Sequence, residues 1–412
     1  ADDRAFKLPA PLAALSLPAM VVGVVLLLVG WGIGSFAASP RIGMSAYLVA
    51  FMYCFTLAIG CLFFVMIQHL VRAGWSVVIR RLAELVMIAI IPLSILFVPI
   101  IATLLFGEGT LYGWDVDGYD EIFHLKTAVW KEKSRWLNQY WFAARAILYL
   151  GVYIWLALYF YRGSVEQDST GELKATERMQ YLAGPCVMAF ALTTSFAAFD
   201  WVMSLAPMWF STMFGVYIFA GSILSAHCLL CLGSWILQKQ GAIRDEVSVE
   251  HYHDLGKYIF GFIFFWTYIS FSQYLLIWYG NIPEETEWFY HRQVGEWGLL
   301  SIFIIFFHWI IPFMGTMSRH VRRRPTLMAC WAAYILILHF VDVYWMIMPE
   351  AATVAPGEAP ASINVISVLA PLLCSVGMVS AMLGYVLRVA DANRIVAVRD
   401  PRLAESIAFE NI

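Results

Sequence analysis

The chain has 412 residues, of which 61% are hydrophobic and 13% are charged, against roughly 45–50% and 25% in an ordinary soluble domain. A soluble fold of this length cannot hide that much apolar surface, so the composition predicts an all-α polytopic membrane protein. The net charge of −3 excludes the strongly basic surface that nucleic-acid binding requires, and no nucleic-acid partner is expected.

Ten apolar runs are long enough to cross a bilayer, which takes about 20 residues. They cover residues 12–37, 43–68, 82–106, 138–161, 179–204, 209–237, 256–280, 293–315, 326–348 and 363–387. We number them as spans 1 to 10. The pattern predicts one transmembrane domain, residues 1–390, followed by a C-terminal tail, residues 391–412.

The connections between these runs alternate in charge. Those on one side carry 19 Lys and Arg residues and those on the other carry six, with Arg145 inside the membrane. Because positively charged connections stay in the cytoplasm, this asymmetry predicts that both termini are cytoplasmic. The outer loop 107–137 mixes acidic residues with a basic stretch, and we interpret it as a lid or a docking surface.

Ionisable side chains within the runs are the main functional signal, because a charge at bilayer depth costs at least about 2.5–3.5 kcal/mol and such groups usually pair or line a pathway. Depth follows from the rise of about 1.5 Å per residue. The candidates for a proton pathway are Arg145, Asp200 and Asp342 in the outer half, His308 and His339 near the midplane, and His227, Glu84, His69 and Arg72 toward the inner side. Such groups, bridged by hydroxyls or water, can pass a proton across a membrane.

Two other interpretations of these residues stay open. Arg145 can pair with a carboxylate such as Asp200 and simply hold two helices together. His308 and His339 share a depth that would suit the two axial ligands of a b-type haem, although no run carries two histidines spaced for stacked haems. The seven cysteines all lie in apolar runs, and we interpret them as packing residues.

A weak internal repeat links spans 5 and 9. Asp200 precedes Pro207 by seven residues, and Asp342 precedes Pro349 by the same distance. This spacing predicts that spans 2–5 and spans 6–9 are two related four-helix bundles, a common construction in membrane transport proteins.

Three segments resemble a known family. They are QHLVRAGW at the end of span 2, SFAAFDWVMSLAPMWFSTMFGVY over 195–217 and FSQYLLIWYGNIPEETEWFYHR over 271–292. They resemble the NrfD/PsrC-like integral membrane subunits, and among these the ActF type found in alternative complex III, a bacterial quinol:cytochrome c (or other acceptor) oxidoreductase. Among the candidate residues, the matched motifs contain His69, Arg72 and Asp200.

The resemblance implies a multi-pass subunit of the bacterial cytoplasmic (inner) membrane, with ten helices arranged as two four-helix bundles (spans 2–5 and 6–9) plus two peripheral helices, spans 1 and 10. It implies four kinds of partner: a paralogous ActC-type subunit, an iron–sulfur subunit related to molybdopterin enzymes, multihaem cytochrome c subunits, and lipids with menaquinol. Quinol, iron–sulfur clusters and haem c are then expected in the partner subunits, with no cofactor or metal in this chain.

The function that the resemblance implies is a transmembrane proton pathway and a scaffold, in a chain that is not catalytic alone. Two alternatives remain. The chain could hold its own quinol site near the outer leaflet, with Asp200 accepting protons, or it could be a free-standing secondary transporter.

Overall fold

The computed structural model of the chain describes residues 6–107, 109–116, 127–243, 246–353 and 359–410, with side chains from residue 130 onward in the third range. All regular structure within these ranges is helical. Ten helices are long and apolar enough to cross a membrane, as predicted. They are Ala10–Ala37, Pro40–Leu70, Val77–Phe106, Gln139–Thr170, Leu173–Leu205, Phe214–Lys239, Val249–Gly280, Gly295–Met317, Pro325–Ala352 and Val365–Ala392. The chain is an all-α polytopic membrane protein.

Spans 4 and 7 are longer than the apolar runs that predict them. Span 4 continues through polar residues to Thr170 and ends at Gly171, whose left-handed φ of 69° terminates the helix. Span 7 begins at Val249, where the Ser248 side chain accepts a hydrogen bond from the backbone N–H of Glu250. Helix ends of this kind lie outside the hydrocarbon, so hydropathy alone does not detect them.

Several spans are interrupted. Span 1 consists of Ala10–Ala14 and Ser16–Ala37, span 3 of Val77–Met87, Ile90–Leu96 and Val98–Phe106, and span 5 of Leu173–Trp201 followed by the 3₁₀ turn Met203–Leu205. Span 8 contains a π-helical segment, Ile305–Ile310, between Gly295–Ile304 and Ile311–Met317. Short helices outside the spans are Thr127–Trp136, Pro283–His291, Arg319–Arg322 and Leu403–Ile407.

Spans 2–5 pack around one another, as do spans 6–9, and we call these groups the first and second bundle. The bundles meet mainly where span 2 packs against spans 6 and 9 and where span 5 packs against span 6. Gly60 allows the close approach of spans 2 and 6, because an added Cβ would lie 2.0 Å from the Ser222 carbonyl oxygen. Spans 1 and 10 pack on each other and against span 2.

The described part of the outer loop covers the outer end of the first bundle. The Tyr112 hydroxyl donates to the Trp201 carbonyl at 3.0 Å, and Lys133 Nζ donates to the Pro207 carbonyl at 2.8 Å. Burial lowers the pKa of Lys133 to about 8. Residue 108 and residues 117–126 of this loop lie outside the described ranges, and its role as a lid or docking surface stays a prediction.

Candidate functional site

Asp200 is a fully buried carboxylate held by four hydrogen bonds. Arg145 donates from Nε to Oδ2 at 2.7 Å and from Nη2 to Oδ1 at 2.9 Å. The Tyr149 hydroxyl and the Trp136 indole N–H each donate to it at 2.9 Å. The Arg145 guanidinium also lies 4.1 Å from the centre of the Trp136 ring. The Arg145–Asp200 pair that the sequence left as an alternative is thus present, as a bidentate ion pair with its charge neutralised.

Asp342 is buried in span 9 without a cationic partner. It accepts hydrogen bonds from the Tyr217 hydroxyl and, at 3.1 Å, from the Trp266 indole N–H. No Lys, Arg or His in the described ranges lies within ion-pair distance of it. A buried carboxylate without a counterion is costly, and such a group becomes neutral by binding a proton. Asp342 therefore has the environment of a proton-binding group.

One midplane histidine contacts an indole donor of this carboxyl, and the other precedes Asp342 by three residues on span 9. His308, within the π-helical segment, is fully buried, and its ring centre lies 4.2 Å from that of Trp266. Neither of its ring nitrogens has a hydrogen-bond partner among the described residues. His339, one turn before Asp342, places Nε2 at 2.8 Å from the Thr56 hydroxyl. Because π-helical segments occur frequently at functional sites, the position of His308 is notable.

Span 6 extends the polar positions toward the inner side. The hydroxyls of Ser222 and Ser225 lie one turn apart and are fully buried. His227 follows on the same span, with Nδ1 at 2.7 Å from the Ile223 carbonyl oxygen. Its ring lies 5.1 Å from that of Tyr258. The second bundle and its interface with span 2 therefore carry ionisable or hydroxyl side chains at successive depths.

Glu84 belongs to a closed ionic network at the inner end of the first bundle. Its two carboxylate oxygens lie 3.2 Å from Arg80 Nε and 3.0 Å from Arg81 Nε. Arg80 also contacts Asp400 at 2.5 Å, and Arg81 contacts Asp168 at 2.8 Å. In the sequence these arginines are visible only as positive charges of a connection, and the network was not predicted. Their spacing of three and four residues before Glu84 was the available signal.

His69 and Arg72 lie apart from the other candidates. His69 is buried, and its ring stacks on Phe160 at 5.5 Å. Arg72 is exposed after the end of span 2, in the left-handed conformation with a φ of 51°. The structure thus does not join the nine predicted residues into one site. It places Asp342, His308, His339 and His227 in or against the second bundle, and pairs Asp200 and Glu84 with arginines.

A cavity of about 640 Å³ lies between spans 7 and 8 beside helix Pro283–His291. Tyr217 and Trp266, the two donors to Asp342, form part of its wall. Polar groups of Ser270, Gln293 and Ser301 also line it, and the remaining wall is mainly aromatic and aliphatic. This cavity was not predicted, because its walls come from segments that are distant in sequence.

Arg292 closes the outer end of this cavity. It donates to Glu350 at 2.8 Å, and its guanidinium lies 3.4 Å from the centre of the Trp288 ring. Burial lowers the pKa of Arg292 to about 10, although the Glu350 carboxylate opposes that shift. The guanidinium stays charged at neutral pH and is paired with Glu350, so a buried ion pair lies beside the cavity.

No protein-family model and no curated protein sequence matches the chain. Within the described ranges, no group of three or more His, Cys, Asp or Glu side chains is placed to hold a metal ion.

Proposed function

We propose that this chain is a membrane subunit of a bacterial respiratory quinol:electron acceptor oxidoreductase of the alternative complex III type, and that its second bundle conducts protons. The resemblance of the three segments supports the complex. One observation carries the proton pathway: Asp342 is buried without a counterion, and its two hydrogen-bond donors line a cavity of about 640 Å³.

The proposed route begins in this cavity. A proton reaches Asp342 through water beside Ser270 and Tyr217, because hydroxyl groups and ordered water together form hydrogen-bonded chains. From Asp342 it passes to the unpartnered His308 or to His339, which contacts the Thr56 hydroxyl. By their positions along spans 8 and 9, His308 and His339 lie near the midplane of the membrane.

The inner half of the proposed route follows span 6. Along this span, Ser222 and Ser225 lie between Gly221, which faces the His339 ring, and His227. An imidazole can accept a proton on one nitrogen and release one from the other, so His227 is suited to the step nearest the inner side. The Arg80–Glu84–Arg81 network then acts as structural support, because each of its charged groups is paired with a group of opposite charge.

Quinol oxidation explains why a respiratory complex would need such a proton route. Oxidation of a quinol releases two electrons and two protons, and a complex that conserves energy has to move protons across the membrane. In this proposal the partner subunits carry the electrons, and this chain carries protons and acts as a scaffold.

Purification from native membranes tests the assignment to a respiratory complex. Under mild detergent, the chain is expected to co-purify with iron–sulfur and multihaem cytochrome c subunits, identified by mass spectrometry and by the haem spectrum. A chain that purifies without redox partners and transports a solute in liposomes would instead support the secondary transporter.

The Asp342→Asn variant tests the proton pathway in the reconstituted complex. Proton translocation per electron is expected to fall by at least about tenfold, since the group that transfers the proton is lost. Electron transfer from quinol to the acceptor is expected to continue. Unchanged proton translocation in a correctly assembled variant would contradict the pathway.

One observation favours a second candidate, a quinol site in this chain. The cavity opens toward the surface where Phe271, Leu299 and Ile302 are exposed, and an apolar ligand could reach it from the lipid. Photolabelling of the intact complex with an azido-quinone separates the two candidates. Label on spans 7 and 8 of this chain would support the second, and label confined to a paralogous partner would support the first.

A further inference from the structure

A second concave site lies on the opposite, inner side of the molecule. It is a groove of about 320 Å³ between the inner ends of spans 4 and 5, and we call it the inner groove. Its lining side chains include Arg162, Glu166 and Arg178 together with Trp155 and Tyr159. It shares no residue with the cavity beside Asp342 and none with the predicted proton pathway.

One wall of the inner groove is aromatic and faces the lipid. The rings of Trp155 and Tyr159 stack with centres 5.8 Å apart and planes 25° apart. Trp155 is 54% exposed on the outer surface of span 4. Amphipathic aromatic rings are typical of the level at which the headgroups meet the acyl chains. The Trp155–Tyr159 wall therefore predicts that the groove lies at this headgroup level.

The other feature of the groove is its pair of free cations. The Arg162 and Arg178 side chains are exposed and make no hydrogen bond or ion pair within the described part of the chain. The Tyr159 hydroxyl donates to the Arg178 carbonyl oxygen at 3.2 Å, which ties the two walls together. Glu166 contributes one carboxylate, so the three charged groups leave the groove with a net positive charge.

We propose that the inner groove binds one anionic phospholipid. Its phosphate lies between Arg162 and Arg178, and its acyl chains follow Trp155 and Leu158 toward the membrane centre. Arginine pairs well with phosphate oxygens, and basic pockets between transmembrane helices on the cytoplasmic side bind acidic headgroups. The charge asymmetry of the connections places this end of the chain at the cytoplasmic leaflet, where anionic lipids are enriched.

The groove favours a lipid over soluble phosphate because of its apolar wall. A free ion would contact only the two guanidinium groups, whereas the stacked rings and Leu158 offer a surface that only acyl chains or glycerol can cover. A zwitterionic lipid of the same chain length would retain the acyl contacts and lose the net charge. The proposal therefore predicts selectivity for headgroup charge at constant acyl chains.

Native mass spectrometry of the delipidated chain measures this selectivity. Phosphatidylglycerol and phosphatidylcholine with identical acyl chains are titrated separately. Each basic side chain near an anionic surface contributes about fivefold in affinity, so the Arg162→Gln/Arg178→Gln variant is expected to lose roughly 25-fold for phosphatidylglycerol. Its affinity for phosphatidylcholine is expected to stay unchanged.

A matched control is available on the same side of the molecule. Arg319 and Arg324 are also exposed and without an ion pair in the described ranges, but they do not line the inner groove. The Arg319→Gln/Arg324→Gln variant removes the same charge and should keep wild-type selectivity. Equal losses in both double variants would show a general charge effect and overturn the proposal.

The Glu166→Gln variant gives a test of opposite sign that does not require removal of a cation. Loss of its carboxylate should raise the affinity for phosphatidylglycerol by up to about fivefold. Wild-type chain that binds the two lipids equally, or a Glu166→Gln variant with weaker phosphatidylglycerol binding, would contradict the site. None of these measurements depends on proton conduction.

Discussion

The last span of each bundle carries a buried aspartate, and a proline follows it seven residues later. The side chains that surround the aspartate differ between the two bundles. In the first bundle, Asp200 is held by Arg145 and two neutral donors. In the second, Asp342 has two neutral donors and no cation among the described residues. Similar positions in the fold therefore support two different chemistries.

The difference separates a structural carboxylate from an exchangeable one. A bidentate Arg–Asp pair fixes the charge of both partners and joins spans 4 and 5. A carboxyl held only by hydroxyl and indole donors can change its charge state, because no fixed positive charge retains the anion. We infer that the first bundle is mainly a rigid support and that the second bundle contains the conducting groups.

The largest expected effect is on stability, from the Asp200→Asn substitution. This change leaves the Arg145 guanidinium, whose side chain is only 13% exposed, without its counterion, and such a loss in a buried pair typically costs about 3–5 kcal/mol. Thermal unfolding in detergent should therefore show a clear loss of stability. The Arg145→Gln/Asp200→Asn double variant removes both charges and should recover much of that loss.

The matched substitution in the second bundle is Asp342→Asn. Asparagine can still accept from Tyr217 and Trp266, and no charged partner is left behind, so the expected loss is about 1 kcal/mol. Equal destabilisation by the two aspartate substitutions would remove the contrast between the bundles.

The hydroxyl donors provide a second, smaller comparison. Tyr217→Phe removes one of only two hydrogen bonds to Asp342 and is expected to cost about 1–3 kcal/mol, because it leaves a buried acceptor poorly satisfied. Tyr149→Phe leaves Asp200 with Arg145 and Trp136, and the expected cost is about 1 kcal/mol. Denaturation of the two variants in parallel gives the ranking. A larger loss for Tyr149→Phe would show that Asp342 does not depend on its neutral donors.

The last expected effect is a pH dependence at the outer end of the first bundle, at a partly exposed group where solvent screening weakens the contribution to stability. Burial lowers the pKa of Lys133 to about 8 from the ordinary 10.5. Between these values the unfolded chain binds more protons than the folded chain, so this residue should make stability rise as the pH increases from about 8 to 10.5. For Arg292 at the second bundle, the same argument applies only above about pH 10.

Unfolding midpoints measured against pH check the Lys133 effect. The Lys133→Met variant should show a smaller increase across this pH range than the wild-type chain. Identical slopes in the two proteins would mean that burial does not hold the Lys133 pKa down.

Hydropathy predicted all ten spans, because lipid requires long apolar helices with internally satisfied backbones. The extents of spans 4 and 7 were underestimated, since the last turns of span 4 and the first turns of span 7 are polar. These turns end at Gly171 and begin after Ser248. The interruption of span 8 around His308 was also missed. A π-helical segment depends on packing against neighbouring spans and leaves no simple periodic signal.

The sequence identified individual buried ionisable residues better than it identified their partners. It offered the Arg145–Asp200 pair as an alternative, but it gave no means to choose Tyr217 and Trp266 as the donors to Asp342. These residues are separated from Asp342 by 125 and 76 positions. Contacts over such separations follow from the arrangement of the spans, which local patterns do not specify.

Proton flux in liposomes tests the central claim most directly. The purified chain is reconstituted with a trapped pH indicator, and a potassium diffusion potential drives protons across the membrane. We expect flux in the wild-type chain, a reduction of at least about tenfold in Asp342→Asn, and near wild-type flux in Arg145→Gln/Asp200→Asn. Flux that persists in Asp342→Asn, or that is abolished only in the Arg145→Gln/Asp200→Asn variant, would contradict the assignment of conduction to the second bundle.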